Sequence, residues 1–400
     1  MKTTDRKEAL ACVMGDMDMV RPLGLAGVRC AVVTHPGSPA LHSRYTKDSI
    51  LWDEASPEQG GHPDDLVEAL LRFGRRQPAP PVLFYQDDTQ LLLVSRNRRR
   101  LRQAFRFVLA GADLVEDLVD KGRFQALAER LDLPVPATHR LYPTRDAAPG
   151  ALDLRFPVIV KPLTRRKVWD EAEGFGKAIQ VDSLEDLHAL WPRLAAVGLD
   201  VLAQEMIPGP ESRIESYHVY VDRGGGIAGE FTGRKIRTYP LDYGHSTALT
   251  ITDEPDVAAL GRALVERLDL RGVAKFDFKR GPDGRLHLLE VNPRFNLWHH
   301  LGAVAGVNLP ALVYADAMGL PRPAAAKARA GACWCHITKD RLAAKESGVS
   351  MAAWLPWMLR CEAKAVTLDD PMPFLWNRFA RFLPSGTHHG HPPDHALKAQ

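Results

Sequence analysis

The 400-residue sequence is poor in cysteine, with five, at positions 12, 30, 333, 335 and 361. So sparse and odd a set in a long chain argues against the disulfide framework that staples small secreted domains and points to reduced thiols. Only Cys333 and Cys335 are close in sequence, and without a second pair they make a poor zinc site. Net charge is also scarce. The 52 Lys and Arg against 49 Asp and Glu leave +3, which argues against nucleic-acid binding by bulk electrostatics. No run reaches the roughly 18 apolar residues needed to span a bilayer. Asp16 and Asp18 interrupt the apolar stretch behind Lys2, Arg6 and Lys7 before it could serve as a signal-peptide core. The expectation is a cytoplasmic protein with no transmembrane segment. Missing too are a GxGxxG or GxxxxGK[ST] motif after any apparent strand, which disfavours a dinucleotide fold or a P-loop.

What is present is the composition of a folded protein, 45% hydrophobic and 25% charged, in a chain too long for one ordinary core. Two or three lobes around a cleft follow. Short apolar runs at 9–14, 27–34 and 81–85, separated by a helical stretch at 64–73, predict a small parallel sheet. Ligands of such sheets settle beyond the carboxyl ends of the strands, which makes His35, Ser38 and Gln86-Asp87-Asp88 candidates for substrate contact; Asp87 or Asp88 could equally cap the next helix. Five arginines between Arg96 and Arg102 read as a solvated basic face. Leucines and alanines from 118 to 131 predict a helix, and Pro134 and Pro136 mark a lobe boundary behind it. Strands expected at 158–160, 200–204, 216–222, 226–238, 274–279 and 286–291, with helices at 184–194 and 256–268, make the following block α+β.

The strongest chemical signal lies in two of those strands, Phe276-Asp277-Phe278 and Leu288 to Arg294, joined by Gly281-Pro282-Asp283-Gly284. That turn composition predicts a hairpin. Alternation puts Glu290 and Asn292 on one face, and pairing can bring Asp277 beside them. Three oxygen ligands then meet, a set that suits Mg2+ with phosphate oxygens and water better than zinc. A carboxylate such as Glu290 in an apolar strand would otherwise be costly.

The order Asp120-Lys121, Lys161-Pro162, Gln204-Glu205 to Gly209, Asp277 and Glu290-Val291-Asn292-Pro293-Arg294 resembles the ATP-grasp superfamily, and within it carboxylate-amine ligases of the D-aspartate ligase group. The likeness runs over roughly residues 1 to 320. It implies an α/β N-terminal lobe followed by an α+β ATP-grasp fold with a C-terminal, helical appendage. The expected division is an N-terminal domain at 1–115, a small lobe at 116–195, a large lobe with the metal site at 196–325, and an extension and tail at 326–400. By this resemblance Lys121 and Lys161 hold ATP phosphates, Glu205 accepts from the adenine amino group, Met206 or Ile207 donates a backbone N–H to the base, and Glu211 reaches the ribose. Pro208 has no N–H to offer. The loop 164–177, with Arg165, Arg166, Gly174, Gly176 and Lys177, becomes a phosphate flap. Lys235 and Arg237, taken to share a strand face, stand near the transferred phosphate, and Arg294 steadies an acyl phosphate and its oxyanion. Asp277, Glu290 and Asn292 hold Mg2+, or Mn2+ in its place.

The implied activity joins a small-molecule carboxylate to an amine through an acyl phosphate, with ATP consumed. A bicarbonate-activating carboxylase or carbamoyl-phosphate-type enzyme, and a non-catalytic nucleotide-binding regulatory protein, are the alternatives. A homodimer is left open. The Trp-containing stretches 351–359 and 374–383 are expected to pack as helices, with a membrane surface or partner as the other option. The tail holding His388, His389, His391 and His395 reads as disordered.

Overall fold

The computed structural model describes residues 9–52, 62–150, 152–163, 167–175, 178–241, 244–324, 326–364 and 367–379. Five residues of the expected flap, Thr164, Arg165, Arg166, Gly176 and Lys177, lie outside them, as does the histidine-bearing tail.

The N-terminal lobe is a four-stranded parallel sheet of β1 (Ala11–Met14), β2 (Cys30–Thr34), β3 (Thr46–Leu51) and β4 (Val82–Tyr85), in the order β3-β2-β1-β4. Strands β1 and β4 are buried along their whole length, as strands covered on both faces must be. Helices α1 (Met17–Leu25), α2 (Pro63–Arg76) and α3 (Asp88–Arg96) accompany them. Two of these start with local caps at the carboxyl end of the sheet. Asp16 accepts from the Asp18 N–H, and Asp87 forms a reciprocal capping box with Gln90. The helix expected over 118–131 is two helices, α4 (Ala112–Val119) and α5 (Lys121–Arg130), because Asp120 leaves helical geometry to cap the second.

The small lobe is an antiparallel sheet of β5 (Thr138–Leu141), β6 (Val158–Pro162), β7 (Ile179–Val181) and β8 (Val201–Glu205), ordered β5-β8-β6-β7, with α6 (Leu184–Val197) against it. Its sheet therefore runs ten residues past the boundary expected at residue 195. The segment 201–205 pairs with β5 and β6 rather than opening the large lobe.

The large lobe is one seven-stranded sheet: β9 (Ile214–Val221), β10 (Ile227–Tyr239), β11 (His245–Thr252), β12 (Gly272–Arg280), β13 (Leu286–Asn292), β14 (Cys333–Cys335) and β15 (Ala363–Lys364), in the order β13-β12-β9-β10-β11-β14-β15. The hairpin at 281–284 forms as expected, and Gly284 takes the left-handed φ of +82° that the turn demands. Helices α7 (Pro255–Arg267), α8 (Trp298–Val304) and α9 (Leu309–Met318) pack on this sheet and on the N-terminal lobe.

The C-terminal extension was expected to be helical, and it is so only in part. Its first and last sheet contacts, β14 and β15, continue the central sheet beyond β11, and α10 (Ile337–Glu346), α11 (Met351–Arg360) and α12 (Met372–Phe379) hang from them. The anchor is Asp340, fully buried, which accepts from Arg237 Nε and Nη2 at 2.8 and 2.7 Å, Thr247 Oγ1 at 2.9 Å and Trp354 Nε1 at 2.8 Å. Farther on, Asp370 accepts from Ser43 and the Arg44 N–H, Asp369 accepts from Tyr45, and Trp376 stacks on His42. The extension thus ties the edge of the large sheet back to the N-terminal lobe.

Deleting one partner of a buried ion pair strands the other charge, at a cost of about 3–5 kcal/mol. Asp340→Ala is expected to destabilise the protein by that order in urea unfolding, with Asp340→Asn milder. A loss under ~1 kcal/mol would show that the cluster does not hold the extension.

Candidate active site

Strand β12 presents Lys275, Asp277 and Lys279 to the cleft, while Ala274, Phe276 and Phe278 enter the core. On β13 the partner of Asp277 is Glu290, and the register slips just after that pair, so that Phe278 faces Leu288. Such a bulge re-aims side chains locally. Glu290 accepts from Asn292 Nδ2 at 3.0 Å, and Asn292 Oδ1 accepts from Arg294 Nη2 at 3.3 Å. The three oxygen-bearing side chains singled out from sequence therefore stand together.

Asp277 is buried and carries two contacts that sequence reasoning missed. Lys275 Nζ lies 2.5 Å from its Oδ2, and Ser216 Oγ on β9 donates to its Oδ1 at 2.6 Å. Burial alone would raise its pKa, but the ammonium groups of Lys275 and then Lys235 outweigh it and hold the carboxyl well below the usual carboxylate range. Two carboxylates and an amide oxygen form a hard donor set, which a divalent cation with phosphate and water ligands could share. Among the described residues no group of three His, Cys, Asp or Glu side chains is arranged to hold a metal ion.

A cavity of about 580 Å3 between the two lobes of the cleft is lined by Lys121, Lys161, Glu205, Met206, Ile207, Glu211, Lys235, Asp277 and Glu290. A smaller one of about 140 Å3 shares Lys121, Lys161 and Glu290 and extends to Asp88 and Asn292. Of the residues expected to touch nucleotide or metal and lying among those described, all line one or both of these cavities except Gly174, Arg237 and Arg294. Lys161 ends β6, and burial lowers its pKa while Glu290 pulls it back up. Its Nζ donates to Gln204 Oε1 at 3.3 Å, and Lys121 Nζ donates to the Pro162 carbonyl at 3.4 Å. Lys279, also unforeseen, donates to the carbonyls of Gly209 and Pro210 at 2.7 and 2.9 Å and so fixes the segment after β8.

Three expectations need correction. Arg237 does not join Lys235 in the cleft. The β10–β11 register shifts on either side of Arg237, which breaks simple alternation, and its guanidinium is spent on Asp340 and lies over the Trp357 ring at 4.3 Å. Glu205 does touch the cavity, but its carboxylate accepts from the Arg155 N–H at 2.7 Å and from the Arg155 side chain at 3.3 Å. Alternation along β8 sends Val201 and Ala203 into the small-lobe core and turns Gln204 toward Lys161, so Gln204 is the better-placed side chain. The Met206 N–H is already given to the Pro157 carbonyl at 3.0 Å, which leaves Ile207 as the backbone donor of the pair. Arg294 sits at the junction with the N-terminal lobe, where Nε donates to Asp88 Oδ1 at 2.5 Å and Nη1 to the Gln86 carbonyl at 3.1 Å.

This geometry has counterparts elsewhere. A family model described as ATP-grasp in the biosynthetic pathway with Ter operon matches residues 200–339. N5-carboxyaminoimidazole ribonucleotide synthetase, solved as an ADP complex, superposes with a TM-score of 0.59 at 15% identity over 82% of this chain and 80% of its own. The chain has the ATP-grasp fold. An L-amino acid ligase from Bacillus licheniformis gives a TM-score of 0.58 at 13% identity over 79% of this chain and 75% of its own. Among curated relatives, the D-aspartate ligase of Enterococcus faecium (strain Aus0004) is 24% identical over 264 residues, 63% of each chain. A D-alanine--D-alanine ligase of Ectopseudomonas mendocina (strain ymp) is 30% identical over 183 residues, 44% of this chain and 55% of that one. This chain thus matches less than two thirds of the length of either ligase.

Beside the charged cluster lies a group of buried histidines. His218 pairs in register with Lys275 and stacks on Phe231 at 4.5 Å; His299 and His300 open α8. Burial holds His299 and His300 down to about 4 and pushes His218 lower in the same direction. In the unfolded chain the same imidazoles take up protons near pH 6.5, so between about 6.5 and 4 the unfolded state binds more protons and stability falls with pH. The melting temperature should be level above pH 7 and drop across that window. A His299→Gln/His300→Gln variant should lose much of the slope; an unchanged slope would assign the loss to other groups.

Proposed function

We propose that this protein is an ATP-dependent carboxylate-amine ligase that makes an amide or peptide bond and releases ADP and phosphate. The observation that carries the reading is the meeting, in two cavities that share Lys121, Lys161 and Glu290, of a cationic strand end (Lys161 with Lys121 and Lys235), a hinge segment with a backbone edge (Ile207), and the cluster Asp277, Glu290 and Asn292. Hinge and strand end suit a purine and its phosphates, and the oxygen cluster suits the cation that accompanies a triphosphate. The D-aspartate and D-alanine--D-alanine ligases among the relatives favour an organic acid and an amine as the partners in the reaction.

In this reading the substrate carboxylate attacks the terminal phosphorus in line. The bond to the bridging oxygen breaks, its electron pair goes to ADP, and an acyl phosphate forms. Lys161 and Lys121 orient the phosphates, Gln204 and the Ile207 N–H read the base, and Glu211 takes the ribose. Mg2+ on Asp277, Glu290 and Asn292 would supply charge neutralisation at the phosphate oxygens. The amine then adds to the acyl carbon, loses a proton, and phosphate departs. Lys275, paired with Asp277, and Arg294, bonded to Asn292, are cations in contact with the cluster, and in this reading they steady the oxyanion.

The test is ADP release over a matrix of amino acids and hydroxy acids crossed with amines, with labelled bicarbonate as a separate arm. The expected result is release that needs both an acid and an amine, reduced at least a hundredfold in Lys161→Ala and Asp277→Asn. Capture of labelled bicarbonate without an amine would replace the ligase by a carboxylase, and ATP binding without turnover for any pair would leave a regulatory protein.

A further inference from the structure

The arginine run of the N-terminal lobe resolves into two sets. Arg96 pairs with Glu116, Arg100 with Asp64 and Glu68, and Arg98 donates to Ser95 and to the Ala110 carbonyl. Arg102 has no carboxylate partner among the described residues; its guanidinium lies 5.5 Å from the centre of the Phe107 ring. It belongs instead to a cavity of about 550 Å3 whose walls are Arg102, Phe105, Arg106, Phe107, Arg223 and Ala317. In size this nearly matches the main cavity of the cleft. Its described lining holds three arginines and no acid, with Phe105 and Phe107 buried behind them.

The position is remote from the cleft. Arg106 bridges to Val82, the first residue of β4, whereas the cleft residues Gln86 and Asp88 follow that strand's far end. Arg223 stands in the turn after β9, the strand whose opposite end carries Ser216 beside Asp277. Eight residues of β9 at ~3.3 Å each place the two sites roughly 20–25 Å apart. The acid in the same turn, Asp222, is taken by Arg322, which also binds Asp316. Arg106 spends one N–H on the Ala317 carbonyl at the end of α9, and so offsets the partial negative charge of that helix terminus. Three arginines line one cavity with no acid among its described lining residues, a setting that suits a di- or trianion.

We propose that this cavity is a second binding site, separate from the nucleotide cleft, for a small phosphate-bearing anion whose charged groups meet Arg102, Arg106 and Arg223. The site joins the N-terminal sheet, α9 and the β9–β10 turn, so its occupant bridges the N-terminal and large lobes.

The probes are 2-naphthyl phosphate and inorganic pyrophosphate, followed by calorimetry on the full chain. Lys161→Ala disables the cleft, and Arg102→Ala/Arg223→Ala disables the cavity; both arginines are exposed, and circular dichroism checks the fold. Expected is saturable binding of both probes, retained in Lys161→Ala and weakened at least tenfold in the arginine variant. Binding lost in Lys161→Ala but kept in the arginine variant would put the probe in the cleft. Absence of binding at millimolar probe would overturn the proposal, as would tighter binding of a single-stranded oligonucleotide, which would make the patch an electrostatic surface for polymers. None of these outcomes depends on turnover, so the site stands or falls separately from the ligase reading.

Discussion

The site depends on one carboxylate being kept charged in a place where burial opposes it. Asp277 lies on a strand whose alternate residues form the core of the large lobe, with Phe276 and Phe278 fully buried on either side. A lone carboxylate there would cost several kcal/mol or take up a proton. Lys275 on the same strand, Lys235 from β10 and the hydroxyl of Ser216 from β9 remove that penalty. Three strands must be in register for this to happen, so the chemistry of the cluster and the pairing of the sheet are the same constraint. A slip of one residue on β12 would send Asp277 to the core and a phenylalanine to the cleft.

The second dependence is between lobes. Arg294 follows the metal-type strand and bonds to Asp88 and to the Gln86 carbonyl, both at the carboxyl end of β4. That is where a parallel sheet presents ligands, so the N-terminal lobe reaches the hairpin through the very residues placed to meet substrate. The C-terminal extension makes a parallel tie on the far edge, through Asp340 to β10 and β11 and through residues 369–376 to the loop after β2. The cleft is therefore bounded by two lobes held at both edges, which is the geometry a reactive acyl intermediate needs if water is to be kept out.

Much of this was legible in the residues. The hairpin turn, the apolar strands of the N-terminal sheet and the partnership of Asp277, Glu290 and Asn292 follow from turn composition and two-residue alternation, both local properties. What was not legible is non-local. Asp120 reads as part of a helix because its neighbours are helical, and only the capping bond to the Arg123 N–H shows that it separates two. The assignment of Glu205 rather than Gln204 to the cleft is a one-residue matter of which face of β8 meets the small-lobe core, and the core residues come from α6 and β6. The strand β14 is three residues long and gains its identity only from β11. Lys275 and Lys279 could have been found, since they alternate with Asp277 on the same strand face.

The fate of the three cations on β10 shows how the chain sorts its positive charge. Arg234 binds Glu215 and Glu254, Arg237 binds Asp340, and Lys235 alone turns to the cavity. The same division holds more widely, for Lys121, Lys161 and Lys235 line the cavity, while Arg234, Arg280 and Arg294 are fastened to carboxylates. A guanidinium has a planar fork that matches a carboxylate and makes a rigid strut, whereas an ammonium is a compact charge on a flexible stem. Struts position the strands; mobile point charges can follow a phosphate as its charge is redistributed. A chain that put arginine at 235 would gain another strut and lose a group free to move, so the sequence order Arg-Lys-Ile-Arg on one strand is a distribution of mechanical and chemical roles rather than a simple accumulation of positive charge.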